Sequence, residues 1–290
     1  MPEPFISPEE LLKSGVHFGH RVSRWNPKMA PYIFDKRNQI HIIDLKQTIK
    51  GLVKAFHFLE KLASRNELIL FVGTKRQAGS VIRDQAKRAG MPYVSERWIG
   101  GTLTNYATVR ERLKRLEEIE TWEQDGTMKR YGKKEQSAIH REKRKLVRNL
   151  DGLRTLQRLP TALVVVDPAH EKIAVLEADK IHAATVALID TDGDPDTIDI
   201  PIPGNDDSMK VVNIIVSRLA DAVLEGKSHA DPIVAKAEPE KAQVVSAGRD
   251  RDRRDRRPPF GGRGPGPGGH RGPRRDGPPA PTPAPAAPQT

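Results

Sequence analysis

Short, uninterrupted apolar runs alternate along most of this chain with stretches of helical periodicity. Three runs have the length and β-branched content of strands buried on both faces: ELILFVGTK (67–75), TALVVVD (161–167) and TVALIDT (185–191). Apolar positions at helical spacing occur in RQAGSVIRDQAKRAG, where Gly90 is placed to end the helix, and in AHEKIAVLEADKIHA and DDSMKVVNIIVSRLADAVLEG. QIHIIDL and MPYVS predict two further short strands. This alternation predicts a parallel α/β sheet, flavodoxin-like or Rossmann-like, with helices on both faces.

Between residues 104 and 158 the pattern changes to a narrow apolar seam among charged positions. The seam lies on either side of a turn at Asp125-Gly126, and its members are Val109, Leu113, Leu116, Ile119, Ile139, Leu146, Leu150 and Leu153. Such a seam predicts an antiparallel coiled-coil helical hairpin. We therefore divide the chain into an α/β globular domain (1–103 and 159–228), an inserted hairpin (104–158) and a disordered tail rich in Pro, Gly and Arg (229–290).

The composition excludes several kinds of chemistry and indicates the cellular compartment. The 290 residues include no Cys, which excludes disulfides, thiolate zinc sites, iron–sulfur clusters and cysteine nucleophiles. No apolar run approaches the roughly 20 residues of a membrane span, and residues 1–15 lack the apolar core of a signal peptide. We expect a soluble, cytoplasmic protein without a membrane partner.

Charge is distributed unevenly along the chain. There are 49 Lys+Arg against 38 Asp+Glu, a formal net charge of +11. Residues 159–245 nevertheless carry −9, while residues 1–103, 104–158 and 246–290 carry +8, +6 and +6. This asymmetry favours separate faces for separate partners, with nucleic acid on the basic part.

Three basic segments are candidates for binding RNA. HRVSRWNPKMAPYIFDKRNQ interleaves cations with aromatic rings and prolines, SERWIGGTLTN has a similar composition, and the hairpin adds a cluster of Lys and Arg. The candidates are Arg21, Arg24, Trp25, Lys28, Lys36, Arg37, Arg97, Trp98, Asn105, Lys133, Lys134, Arg144 and Arg148. The alternative roles are structural, because aromatic rings also anchor segments to a core and charged helix faces also keep a hairpin soluble.

The loop GTK at 73–75 joins a predicted strand to a predicted helix, a place where backbone N–H groups bind anions. Lys75 and Arg76 are therefore candidates for contacting an RNA phosphate. The same loop would serve the alternative function, that of a nucleotide-dependent α/β enzyme using the Gly73 loop. Neither GxxxxGK[ST] nor GxGxxG occurs in the chain, so that alternative lacks both phosphate-binding motifs.

Other motifs assemble no catalytic or cofactor site. HExxH fails because Ala174 stands at its last position, and DTDGDPD has proline where a calcium loop needs glycine. His17 and His20 in GVHFGH are either hydrogen-bonded structural histidines or ligands of a weak divalent-metal site completed by a distant carboxylate such as Asp190 or Asp206. We predict no catalytic residue and no cofactor, and we assign no metal ligand.

Eight motifs, in this order, resemble the bacterial small-subunit ribosomal protein S2 family. They are GVHFGH, RWNPKM, IIDL, LFVGTKRQA, PYVSERWIGGTLTN, REKRKL, LPTALVVVDPAHEKIAVLEA and IPIPGNDD, and the resemblance spans residues 9–226. It implies a parallel α/β sandwich with a protruding coiled-coil hairpin and a structural role in translation. It also implies three partners: ribosomal RNA on the solvent side of the small subunit between head and body, other small-subunit proteins, and a docked ribosomal protein S1.

The family's motif positions carry RNA contact over to Arg21, Arg24, Lys28, Lys75, Arg97 and Asn105, with the hairpin cations as further expected contacts. The acidic residues 159–245 are then expected to face solvent or a protein neighbour, because their charge repels phosphate.

Overall fold

A computed structural model describes residues 7–229. In chain order its helices and strands are α1 (Pro8–Ser14), β1 (Phe18–Arg21), β2 (Ile33–Arg37), β3 (Ile40–Ile43), α2 (Leu45–Ser64), β4 (Ile69–Val72), α3 (Gly79–Ala89), β5 (Tyr93–Val94), α4 (Tyr106–Gln124), α5 (Lys133–Leu150), β6 (Ala162–Val166), α6 (Lys172–Lys180), β7 (Ala184–Ile189), β8 (Ile200–Pro203) and α7 (Met209–Ser228). Five strands form a parallel sheet of order β5-β4-β6-β7-β8. The predicted parallel α/β fold is therefore confirmed.

Alternate residues of the central strands separate the two faces of this sheet. Ile69 and Phe71 of β4 pack in one apolar cluster with α2, α3 and α7. Leu70 and Val72 pack in a second cluster with α6 and with the sheet-proximal ends of α4 and α5, called the lower part of the hairpin below (Val109, Leu113 and Leu150). Because both faces are covered, the strand is fully buried and reads as a continuous apolar run.

A second sheet, antiparallel and of order β1-β3-β2, precedes the central one. The sequence pattern predicts its central strand β3, in QIHIIDL, but neither β1, β2 nor the antiparallel pairing. A two-residue turn at Asn38 and Gln39 joins β2 to β3, and both residues have positive φ, 51° and 60°. β1 and β2 are short and rich in polar residues, so neither shows the alternation of a typical half-buried strand.

The helices α4 and α5 pack against each other as a hairpin. The buried positions of its apolar seam are Val109, Leu113, Leu116, Ile119, Leu150 and Leu153, while Ile139 and Leu146 are half-buried. Near the tip, the rings of Trp122 and Tyr131 lie 5.7 Å apart, and the guanidinium of Arg115 lies 4.7 Å from the centre of the Trp122 ring. The seam predicted from the sequence is thus the packing surface between the two helices.

Strand β8 forms one edge of the central sheet and was also missed by the sequence pattern. Its sequence is IPIP, and Ile200 and Ile202 alternate with Pro201 and Pro203. Proline lacks an N–H, which confines it to edge strands, and residues two apart in a parallel strand direct their backbone groups to the same side. The backbone nitrogen and carbonyl groups of both prolines therefore face away from β7. On that side, the Thr48 hydroxyl of α2 donates a hydrogen bond to the Pro203 backbone oxygen at 2.6 Å.

Two glycines allow α2 to approach its neighbours closely. A Cβ atom at Gly51 of α2 would lie within 3.0 Å of the Pro201 backbone oxygen of β8. A Cβ atom at Gly226 of α7 would lie equally close to the Glu60 backbone oxygen of α2. Glycine at both positions therefore sets the packing distance between α2, β8 and α7.

The predicted tail (229–290) lies outside the described residues, apart from its first position, as do residues 1–6. Within residues 7–229, no helix is both long enough and apolar enough to cross a membrane.

Candidate nucleic-acid interface

Four of the predicted cations lie on or beside the small antiparallel sheet. Arg21 of β1 and Arg37 of β2 both align with Ile40 of β3, which places them on one face, two strands or roughly 10 Å apart. Lys36 and Arg24 are exposed close by in the chain. Within residues 7–229, none of the four cations has a carboxylate partner. Arg21 and Arg37 therefore offer an unneutralised positive charge on one face of the sheet, whereas Lys36, the neighbour of Arg37 in β2, lies on the other face.

Lys28 and Lys75 are placed differently, because carboxylates of the same chain neutralise them. The Lys28 ammonium lies 2.8 Å from both Asp194 and Asp196. The Lys75 ammonium lies 2.7 Å from Asp206 and 2.6 Å from Asp207. The sequence places both lysines at RNA phosphates, but the structure gives both of them internal partners.

The Gly73 loop is occupied in a similar way. The backbone N–H and the hydroxyl of Thr74 both donate to one oxygen of Glu171, at 2.7 and 2.5 Å. This carboxylate sits where a phosphate would meet the loop, which argues against the alternative of a nucleotide-dependent enzyme. Arg76, three residues after Gly73, is exposed and has no carboxylate partner within residues 7–229.

The two predicted tryptophans both contact other parts of the protein. Trp25 is half-buried, with its ring 5.0 Å from that of His41. Trp98 is only 8% exposed, and its indole N–H donates to Glu177 at 3.1 Å. The ring of Trp98 is therefore largely buried and its N–H is satisfied within the protein, and RNA contact by Trp98 stays a prediction.

Glu177 of α6 organises the whole loop that follows Trp98. Its two oxygens accept hydrogen bonds from the backbone N–H groups of Gly101 (2.7 Å), Leu103 (2.9 Å) and Thr104 (3.2 Å). Burial acts to raise the pKa of Glu177, but the hydrogen bonds from Leu103, Gly101, Trp98 and Thr104 outweigh it and lower the pKa. The carboxylate thus stays charged and holds the loop in one conformation, with the predicted residues Arg97 and Asn105 exposed at its two ends.

The predicted cations of the hairpin are exposed along α5. Lys133, Lys134 and Arg144 have no carboxylate partner within the described chain, whereas Arg148 lies 3.2 Å from Glu96. The two acidic residues of α5 are engaged elsewhere. Glu135 accepts a hydrogen bond from the Gly132 N–H at 3.1 Å, and Glu142 lies 3.5 Å from Arg115 of α4.

A cleft of about 550 Å³ lies where the 97–105 loop meets the lower part of α4 and α5. Arg97 and Asn105, both predicted, line it together with Arg112, Lys145 and Asn149. Arg112 and Asn149 were missed, because they belong to different helices and only the fold brings them to the loop. The sequence signal that could have found Arg112 is its position three residues after the seam residue Val109.

The structure also brings together the side chains considered as metal ligands. The candidate ligand atoms of His20, Asp190 and Asp206 all lie within 4.8 Å of one another, and His17 is not part of this group. His20 Nδ1 lies 3.0 Å from Asp190, and this contact raises the pKa of His20 to about 9 against the opposing effect of burial. Burial and the charge of Asp167 raise the pKa of Asp206 to about 7. A divalent cation bound here would have to displace the proton of His20.

Comparison with known proteins gives two findings. The family model described as ribosomal protein S2 matches residues 11–226. The chain is also 57% identical over 219 residues to the small ribosomal subunit protein uS2 of Rhodopirellula baltica, an alignment that covers 76% of this chain and 84% of that protein.

Proposed function

The chain belongs to the ribosomal protein S2 family, whose members are structural components of the small ribosomal subunit and not enzymes, and we propose that it binds ribosomal RNA directly through its unpaired cations. Those cations lie on α5 and on the small antiparallel sheet. The protein acts in the cytoplasm by neutralising phosphates and fitting the shape of folded RNA, without turnover.

The observation that carries this proposal is the one-sided charge of α5. Lys133, Lys134 and Arg144 are exposed and lack carboxylate partners within residues 7–229, while the helix's own Glu135 and Glu142 are occupied. Arg144 also has Arg141 three residues before it and Arg148 four residues after it, and like charges at these spacings on one helix repel each other. A polyanion alongside the helix would remove that repulsion, and this helix lies in a segment whose charge is +6.

The test compares two variants of equal net charge. In the first, Lys133, Lys134 and Arg144 are each replaced by Gln; in the control, the exposed Lys172, Lys180 and Lys210 of the acidic segment are each replaced by Gln. Affinity for small-subunit ribosomal RNA is measured as a function of salt. We expect the log–log salt slope of the first variant to become shallower by about three, one for each lost phosphate contact, with little change in the control. Equal slopes for the two variants would overturn the proposal.

We also propose that ribosomal protein S1 docks on the small antiparallel sheet. Phe34 of β2 is 76% exposed and Phe18 of β1 is 47% exposed. Both lie toward the end of the sheet opposite Arg21 and Arg37, since Phe18 and the neighbour of Phe34, Asp35, align with Ile42 of β3. Exposed aromatic rings are frequent anchors of protein interfaces, and Asp35 adds a charge that repels RNA but not protein.

The double variant Phe18→Ala and Phe34→Ala tests this docking surface. We expect small subunits that carry it to retain S1 about tenfold less well, because loss of two aromatic anchors typically costs at least 1.4 kcal/mol of binding free energy. Ile173→Ala with Leu176→Ala, which removes two exposed apolar side chains from α6, is the control. Normal S1 content in subunits carrying the phenylalanine variant would contradict the assignment.

A further inference from the structure

We propose that the cleft between the 97–105 loop and the lower part of the hairpin binds one unpaired nucleotide of the RNA strand, with its base inside the cleft and its phosphate at the rim. The inference rests on the proposed function and specifies one contact of that interface. The cleft volume of about 550 Å³ falls within the roughly 300–1,000 Å³ range of small-ligand clefts.

The interior of the cleft is apolar and held in place before any ligand arrives. Trp98, Val109 and Leu150 line it and are buried, and Leu146 is half-buried beside them. The loop on the opposite side is fixed by the hydrogen bonds that Glu177 accepts from Trp98, Gly101, Leu103 and Thr104. A preformed apolar surface accepts the flat face of a base with little loss of conformational entropy.

The rim of the cleft is cationic. Arg97, Arg112 and Lys145 are exposed, line the cleft, and have no ion-pair partner within residues 7–229. Glu142 is the acidic residue among the lining side chains, and it lies 3.5 Å from Arg115. Three unpaired cations around an apolar interior match the distribution of charge in a nucleotide, whose phosphate is anionic and whose base is not.

Two amide side chains are placed to recognise the edge of the base. Asn105 accepts a hydrogen bond from the Thr108 hydroxyl at 3.0 Å, which leaves its two N–H donors available. Asn149 lines the cleft from α5, and its side chain has no hydrogen-bond partner within the described chain. At Gly100 no atom lies within 4 Å of the place a Cβ would take, so a ligand can approach the backbone there.

The geometry favours an unpaired nucleotide over duplex RNA. The bases of an A-form helix are stacked and its major groove is deep and narrow, whereas loops and bulges present bases that can be turned outward. Lys145 of the rim is adjacent in sequence to Arg144 of the charged face of α5. A strand whose phosphates follow α5 therefore reaches the cleft without leaving the interface.

The test uses reconstituted small subunits that carry a photo-crosslinking benzoylphenylalanine in place of Ile99, a cleft residue that is 37% exposed. The same substitution at Leu159, which is 44% exposed and lies outside the cleft lining, is the matched control. We expect the Ile99 probe to crosslink to one unpaired nucleotide, and the control not to reach it. Adding Asn149→Leu should lower the yield at that nucleotide about tenfold, with unchanged occupancy of the protein in the subunit.

Other outcomes would overturn the inference in different ways. A protein that is present in the subunit but crosslinks only to paired RNA or to a neighbouring protein would refute the cleft contact and leave the proposed function standing. If the wild-type protein does not bind ribosomal RNA at all, both the cleft contact and the proposed function are refuted. Micromolar binding of free AMP or UMP to the isolated protein, without a crosslink to RNA in the subunit, would assign the cleft to a small molecule.

Discussion

Whether a basic side chain is free to meet an anion is decided here by carboxylates that lie far away in the sequence. Lys28 pairs with Asp194, 166 residues away, and Lys75 pairs with Asp206, 131 residues away. Arg21, only seven residues before Lys28 in the same basic segment, has no such partner within residues 7–229. Sequence composition therefore predicted which segments are basic, but it could not predict which of their charges are already neutralised.

The His20–Asp190 contact makes a prediction about protonation. The pKa of His20 is raised to about 9 from an ordinary value of 6.5, so the stability that its charged form adds is fully present below pH 6.5 and is lost as the pH rises through about 9. NMR titration of the imidazole should give a midpoint near 9. In Asp190→Asn the midpoint should fall toward 6.5. A wild-type midpoint near 6.5 would show that the contact does not form.

At the scale of elements, the sequence pattern was sufficient to predict a strand or helix whose own residues are mostly apolar and buried. β4, β6 and β7 were predicted as apolar runs, and the helix α3 ends at Gly90, which has the expected positive φ of 62°. β1, β2 and β8 were missed because their sequences, FGHR, IFDKR and IPIP, lack a strand's apolar pattern. These strands depend on pairing with β3 or β7, which is a property of the tertiary structure.

The packing of α7 on α2 predicts an inverted effect at one glycine. Replacing a helix-interior glycine by alanine normally stabilises a helix by about 1 kcal/mol. Gly226→Ala should instead destabilise the protein by about 1–3 kcal/mol, because the added Cβ would clash with the Glu60 backbone oxygen. Urea unfolding measures the difference, and Gly100→Ala, where the added atom meets nothing within 4 Å, is the control. A stabilising Gly226→Ala would show that the two helices do not approach so closely.

At the scale of the whole molecule, the uneven charge along the sequence does not produce fully separate acidic and basic surfaces. The expectation that the acidic residues of 159–245 face solvent or a protein neighbour is wrong for Glu171, Glu177, Asp190 and Asp206, which are buried. The basic segments 1–103 and 104–158 supply the cations of the small sheet, the 97–105 loop and α5. The acidic segment supplies Glu177 and the aspartates that pair with Lys28 and Lys75. The cleft could not be predicted, because its lining comes from one loop and two helices that only the fold brings together.

Because the proposed interface lies within the described residues, incorporation into the small subunit should not require residues 230–290. A chain that ends at residue 229 should be present in small subunits at the same occupancy as the full chain. If about six phosphates are contacted, the affinity of the full chain for ribosomal RNA should fall roughly a thousandfold between 50 and 200 mM monovalent salt. Filter binding at several salt concentrations measures this dependence. A truncated chain that is absent from small subunits would place an essential part of the interface in the removed residues.

The prolines of β8 affect how exposed the edge of the central sheet is before the protein joins a small subunit. An open sheet edge is a template on which strands of other copies can grow into aggregates. Here Pro201 and Pro203 present no donor along one edge, Thr48 occupies the Pro203 oxygen, and the strand at the opposite edge, β5, is only two residues long. Both edges of the central sheet therefore offer little backbone for an incoming strand of another copy to pair with.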